Sequence, residues 1–184
     1  MADRTDTERD ILDATREALT EHGHAELSMA RVAERFDGSQ SLIHYHFDSK
    51  AGLLAALVER DRERFEAWLA DLPETPGERL DRLVEQQVLG PLDGEGVPAY
   101  AALHARAGHS EPLRAALAGL EDALYGALLA AVEDAADAGL LDVAPGPAAT
   151  LLLAVHDAAF VCAALDTDRD LRGVVEAFLP RRAP

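Results

Sequence analysis

The stretch Ser39-Gln40-Ser41-Leu42-Ile43-His44-Tyr45-His46-Phe47-Asp48-Ser49-Lys50 holds the side chains best suited to reading another molecule without breaking a bond in it. A Gln amide can meet an adenine edge with two hydrogen bonds, a Ser hydroxyl can donate or accept, and a Leu can touch a thymine methyl. His, Tyr and Lys side chains, with a helix start at Ser49-Lys50, suit phosphate oxygens. Asp48 and Lys50 are the only formal charges in the stretch, and they cancel. Bond-breaking chemistry finds no comparable cluster. There is no His-Glu-x-x-His, no pair of Glu-x-x-His motifs as in di-iron bundles, no Gly-rich phosphate loop and no nucleophile elbow. His104 and His109 are five apart and fall on different helix faces, while His22 and His24 stand at a helix exit. His156-Asp157 sits in an apolar helix, where the His is either the polar floor of a cavity or, as favoured here, hydrogen-bonded in a core or interface. The single cysteine, Cys162, excludes an internal disulfide framework and a four-cysteine zinc site. No catalytic residue, metal site or cofactor is expected.

Helix punctuation supplies the scaffold. Thr5-Asp6-Thr7-Glu8 reads as a capping box ahead of an apolar stripe, Ile11, Leu12, Thr15, Ala18 and Leu19, that ends near Gly23. Ser28 opens a short helix with Met29, Val32, Ala33 and Phe36 on one face; Asp37-Gly38 is a tight turn, and Ser39 caps a third helix through Phe47. Two short helices about such a turn, braced by a first, form a helix-turn-helix, which places the start of its last helix in the DNA major groove, with Ile43 and Phe47 turned to the core. A fourth helix follows Ser49 and stops before Pro73, and Thr75-Pro76-Gly77-Glu78 starts another that runs to about Leu89. Gly90 to Pro98 reads as a flexible loop, followed by helices at 100–107, 110–138, 147–165 and 168–179. The expectation is an all-α chain of about nine helices, consistent with 36 Ala and few strand-forming runs.

The wording from Ser39 to Lys50, continued by Leu53-Leu54 and preceded by Ala30-Arg31-Val32-Ala33-Glu34-Arg35-Phe36, resembles the signature of the tetracycline-repressor (TetR) family of transcriptional regulators. The resemblance covers residues 5 to 58. It implies a DNA-binding domain at 1–48 and a helical effector-binding and dimerisation domain at 49–184. It also implies a homodimer on a palindromic operator, with half-sites about one helical turn, near 34 Å, apart, and release by a small hydrophobic effector that shifts the fourth helix. Carried over by position, Gln40, Ser41 and Leu42 read bases, His44, His46 and Lys50 meet the backbone, and Tyr45 lies beside the DNA. Ser28 and Ser39 complete the contact set. Asp37-Gly38 stands where the family usually has Gly-Val. The enclosed effector site would draw on Phe65, Trp68, Tyr100, Leu103, His104, Tyr125, Leu128, His156 and Phe160, each equally readable as ordinary core.

Residues 148–165 are apolar almost all round, yet His156-Asp157 at the centre argues against a membrane span. A helix buried on more than one side fits a subunit interface. Leu152, Val155, Ala159 and Ala163, with Leu171, Val175 and Phe178 of the last helix, are the expected seam. The chain carries 17 basic and 34 acidic residues, net −17, and Lys50 is its one lysine against 16 arginines. Such an acid coat reads as that of a salt-accumulating halophile, an acidic protein from a GC-rich genome being the alternative. A charged beginning without an apolar signal core predicts a cytoplasmic protein. Residues 1–50 count six basic and eleven acidic side chains, net −5, which keeps open a ligand-sensing or protein-interaction dimer that does not bind DNA. A helical-bundle enzyme ranks third.

Overall fold

The computed structural model describes residues 4–93 and 97–179. Among them the helices run α1 (Arg4–Glu26), α2 (Met29–Phe36), α3 (Gln40–His46), α4 (Lys50–Leu69), α5 (Pro76–Leu83), α6 (Val97–Ala107), α7 (Glu111–Asp137), α8 (Pro145–Leu165) and α9 (Leu171–Phe178). A π-helical turn occupies Val84–Val88 and a 3-10 turn Gly90–Asp93, and no β-strand occurs among the described residues. The all-α architecture is as expected.

The boundaries differ where backbone hydrogen bonding overrides the punctuation. Helix α1 begins at Arg4, so Thr5 lies inside it rather than capping it. Gly23, at φ 70, bends the helix instead of ending it, and helical structure resumes to Glu26. The helix begun at Pro76 was expected to continue to Leu89, but it widens at Val84, where the Leu89 N–H reaches five residues back to the Val84 carbonyl at 3.0 Å. Pro91, four residues beyond Gln87, has no N–H to offer the Gln87 carbonyl. The Nδ1–H of His156 donates to that carbonyl at 2.6 Å. His156 thus satisfies a helix end from another helix, in line with the hydrogen-bonded reading. Helix α7 closes as its Gly139 implied, at φ 73, with the Leu140 N–H donating to Ala135 O at 2.9 Å.

The chain packs as two units, one comprising residues up to Glu63 with Pro98–Leu120, the other Arg64–Val97 with the residues from Glu121 onward. The first is built on Ile11, Val32, Ile43, Leu53, Leu57, Leu103 and Leu113, all 2% exposed or less. Helices α1, α2 and α3 therefore share a packed unit with much of α4, with α6 and with the start of α7. The second unit buries Leu83, Val88, Leu128, Val132, Leu152 and Ala159. Helices α7 and α8 are long and apolar enough, by length and composition, to cross a membrane. Their buried faces supply core residues, Leu113 and Leu117 in the first unit and Leu128, Leu152 and Val155 in the second.

Candidate nucleic-acid interface

The α2–turn–α3 segment is closed at every backbone end. Ser28 Oγ accepts from the Arg31 N–H at 3.2 Å and starts α2, and Ser39 Oγ accepts from the Leu42 N–H at 3.1 Å and starts α3. Between them Asp37 takes the left-handed conformation at φ 55, and the Gly38 N–H donates back to Ala33 O at 3.1 Å. A Cβ on Gly38 would stand 2.3 Å from the Phe36 ring. Phe36 packs against the first unit's core, so its ring fills the place that Val takes in the resembled pattern, and the turn is braced from the other direction.

This frame turns Ile43 fully inward and leaves Ser39, Gln40, Ser41, His44 and Tyr45 exposed, Tyr45 to 71%. Leu42 is half-buried beside them. The exposed row carries no formal charge and offers amide, hydroxyl, imidazole and phenol groups, the set suited to base edges and neutral phosphate contacts.

Two members of the expected set are placed otherwise. The His46 side chain is only 3% exposed, and its Nδ1–H donates to Glu8 of α1 at 3.0 Å. It fastens the end of α3 to α1 instead of standing on the open face. The Lys50 ammonium is half-buried and donates to the carbonyls of His24 at 2.9 Å and Leu27 at 2.6 Å, completing the exit of α1. Burial and then the Arg106 charge hold the Lys50 amine below its ordinary range. Burial, followed by the charges of Lys50 and Arg106, does the same to the His24 imidazole.

Most arginines of the first fifty residues are engaged by carboxylates. Arg31 meets Glu26 at 3.1 Å, Arg35 meets Glu17 and Glu21, Arg9 meets Asp6, and Arg16 meets Asp61. Pairing with Arg35 lowers the Glu21 carboxyl pKa and raises that of the guanidinium. A seam of such pairs also joins α1 to α4, where Arg60 donates to Asp13 at 2.5 Å and to the Arg9 carbonyl at 2.9 Å. Asp61 accepts from Arg16 and, at 2.7 Å, from the Tyr100 hydroxyl of α6. The candidate site residues read from the sequence do not include this node. Its signal was the complementary pair Asp13 and Arg16, one turn apart on α1, facing Arg60 and Asp61 on α4.

The nine candidate effector residues divide between the two units. Tyr100, Leu103 and His104 belong to the first, where Leu103 is fully buried and His104 is exposed with Nδ1 3.0 Å from the Tyr100 carbonyl. The other six belong to the second. Phe65 stacks on Trp68 at 6.0 Å, His156 meets Phe160 edge-on at 4.8 Å, and Tyr125 and Leu128 pack on the core. The cleft of about 430 Å³ in this unit is lined by other residues, among them Val84, Glu85, Leu89, Arg172 and Val175.

Of the expected seam, Leu152, Val155, Ala159, Leu171 and Val175 are each at most 9% exposed and pack in the core of the second unit. Ala163 is half-buried and Phe178 is 59% exposed. The outer faces of α8 and α9 instead show Val161, Leu165, Val174 and Phe178.

Residues 11–57, the segment that builds this helix-turn-helix, match the family described as bacterial regulatory proteins, tetR family. This segment, about a quarter of the chain, is a tetR-family segment. No curated protein matches it. Among solved structures, a TetR transcription regulator from Haloarcula marismortui is 26% identical with a TM-score of 0.84, covering 95% of this chain and 97% of that one. GusR of Salmonella enterica is 24% identical at a TM-score of 0.73, covering 97% and 98%. FadR of Bacillus subtilis, in complex with stearoyl-CoA, is 16% identical at 0.74, covering 94% and 97%. The last two show likeness of fold alone. Regulators of the tetR family are transcription factors rather than enzymes.

Proposed function

We propose that this tetR-family regulator is a cytoplasmic repressor that binds a palindromic operator as a homodimer and is released by a small hydrophobic effector. The observation that carries the reading is the exposed, uncharged row Gln40, Ser41, His44 and Tyr45 on a capped helix, with Ile43 anchoring it to the core. The exposed apolar residues of α8 and α9, Val161, Leu165, Val174 and Phe178, support the dimer. The aromatic residues Phe65, Trp68, Tyr125 and Phe160 support an apolar effector, and FadR of the same fold binds stearoyl-CoA.

The test is selection of bound fragments from the source genome, followed by footprinting of the best site. A protected palindrome is expected, and Gln40→Ala should relax preference at one base position in each half-site by about 1–3 kcal/mol. Protection without a repeat, or unchanged preferences in the variant, would count against the operator reading and the role of Gln40 respectively. A second reading, a sensing dimer that does not touch DNA, is favoured by the internal commitments of His46 and Lys50 and by the net −5 of residues 1–50. Absence of any enriched fragment would select it.

A further inference from the structure

Asp61 is held from two directions. Its side chain is 14% exposed; one oxygen accepts from the Arg16 guanidinium of α1 and the other from the Tyr100 hydroxyl of α6 at 2.7 Å. A carboxylate gripped in this way cannot follow one helix without loosening its hold on the other. Burial, and then the Asp61 charge, push the Tyr100 phenol far above its ordinary pKa, which keeps the hydroxyl a donor wherever the protein is folded. The network is incompletely satisfied, because Arg16 Nε is buried with no hydrogen-bond partner among the described residues. The neighbouring bridge, Arg60 to Asp13 and the Arg9 carbonyl, joins the same two helices without involving α6. Two turns before Arg16, the same α1 carries Glu8, which holds the His46 imidazole at the end of α3.

From this connected set we infer that the Tyr100 hydroxyl is a positioning contact for the reading helix. Through Asp61 and Arg16 it sets how α1 lies on α4, and through Glu8 and His46 the lie of α1 sets the aim of α3. Movement of α6 that withdraws the hydroxyl releases Asp61, loosens α1 and lets α3 drift from its DNA-competent orientation. The inference deepens the DNA-binding reading and rests on it for its biological consequence, but the mechanical coupling is measurable without DNA.

Tyr100→Phe removes one oxygen and keeps the ring. Hydrogen–deuterium exchange on the full chain should show amides of α1 and α3 exchanging about tenfold faster in this variant, with α8 at parental rates. Adding Arg16→Gln to Tyr100→Phe should produce little further acceleration, whereas adding Arg60→Gln, which cuts the independent bridge, should accelerate α1 again. Parental rates in α3 for a variant with an unchanged helical signal would overturn the inference. So would acceleration confined to α6 or spread equally over both units, since a merely structural contact gives those patterns. Binding to the fragment selected by the parent should weaken by about five- to tenfold in Tyr100→Phe. A parent that selects no DNA overturns the proposed function, while the exchange rates still decide the coupling.

Discussion

Gly38 shows how one absent side chain can organise a turn. The resembled pattern places an apolar residue there, yet in this chain the Phe36 ring lies where the Cβ would be, at 2.3 Å. The apolar contribution has moved two residues back, and the positive φ falls on Asp37. Gly38→Val should therefore destabilise the protein by about 1–3 kcal/mol, as overpacking does, because the ring must leave its place. Urea unfolding checks it, and stability equal to the parent would mean that Phe36 is not seated there. The types of His46 and Lys50 were legible as site residues, but their orientations were not. Glu8 is 38 residues from His46, and the carbonyls of His24 and Leu27 are 26 and 23 residues from Lys50. Such partners depend on how α1 crosses α3 and α4, which no local pattern encodes.

At the scale of elements, the helices with one apolar face could be read in register, and the helix apolar all round could not. In α2 the period of Val32 and Ala33 marks the buried side, and both are buried. In α8 every face offers Ala, Leu or Val, so periodicity cannot say which stripe meets the subunit's own core. The answer is Leu152, Val155 and Ala159 inward, Val161 and Leu165 outward. This inverts the useful experiment. Ala159→Arg would drive an unpaired charge into the core and unfold the subunit, revealing nothing about association. Phe178→Glu, on the exposed face of α9, should instead leave the helical signal intact and convert the proposed dimer to monomer in light scattering. A folded dimer with this substitution would remove α9 from the interface. The π-turn after Leu83 was legible only in part: Pro91 announces an orphaned carbonyl four residues earlier, but its rescue by His156 from 69 residues away is a tertiary fact.

At the scale of the whole molecule, the net charge of −17 and the neutral reading row make a joint statement about solvent. At low ionic strength a fold this acidic repels itself and repels DNA, since the Debye length is about 10 Å at 0.1 M salt and longer in dilute buffer. Near molar salt the screening length falls to about 3 Å, and counterion release from phosphates supplies little driving force. A DNA-binding surface working there gains little from added Lys or Arg. It must draw on groove hydrogen bonds, apolar contact and neutral donors, the groups that Gln40, Ser41, Leu42, His44 and Tyr45 present. The arginines of the first fifty residues are largely paired with carboxylates of α1 and α4. Folding and specific DNA binding should consequently persist or improve as KCl rises toward molar levels, contrary to the steep loss shown by basic DNA-binding proteins. Circular dichroism and binding titrations across a KCl series test the two halves separately. Full folding in dilute buffer together with a steep negative salt slope would reject the high-salt adaptation and leave the regulator assignment standing.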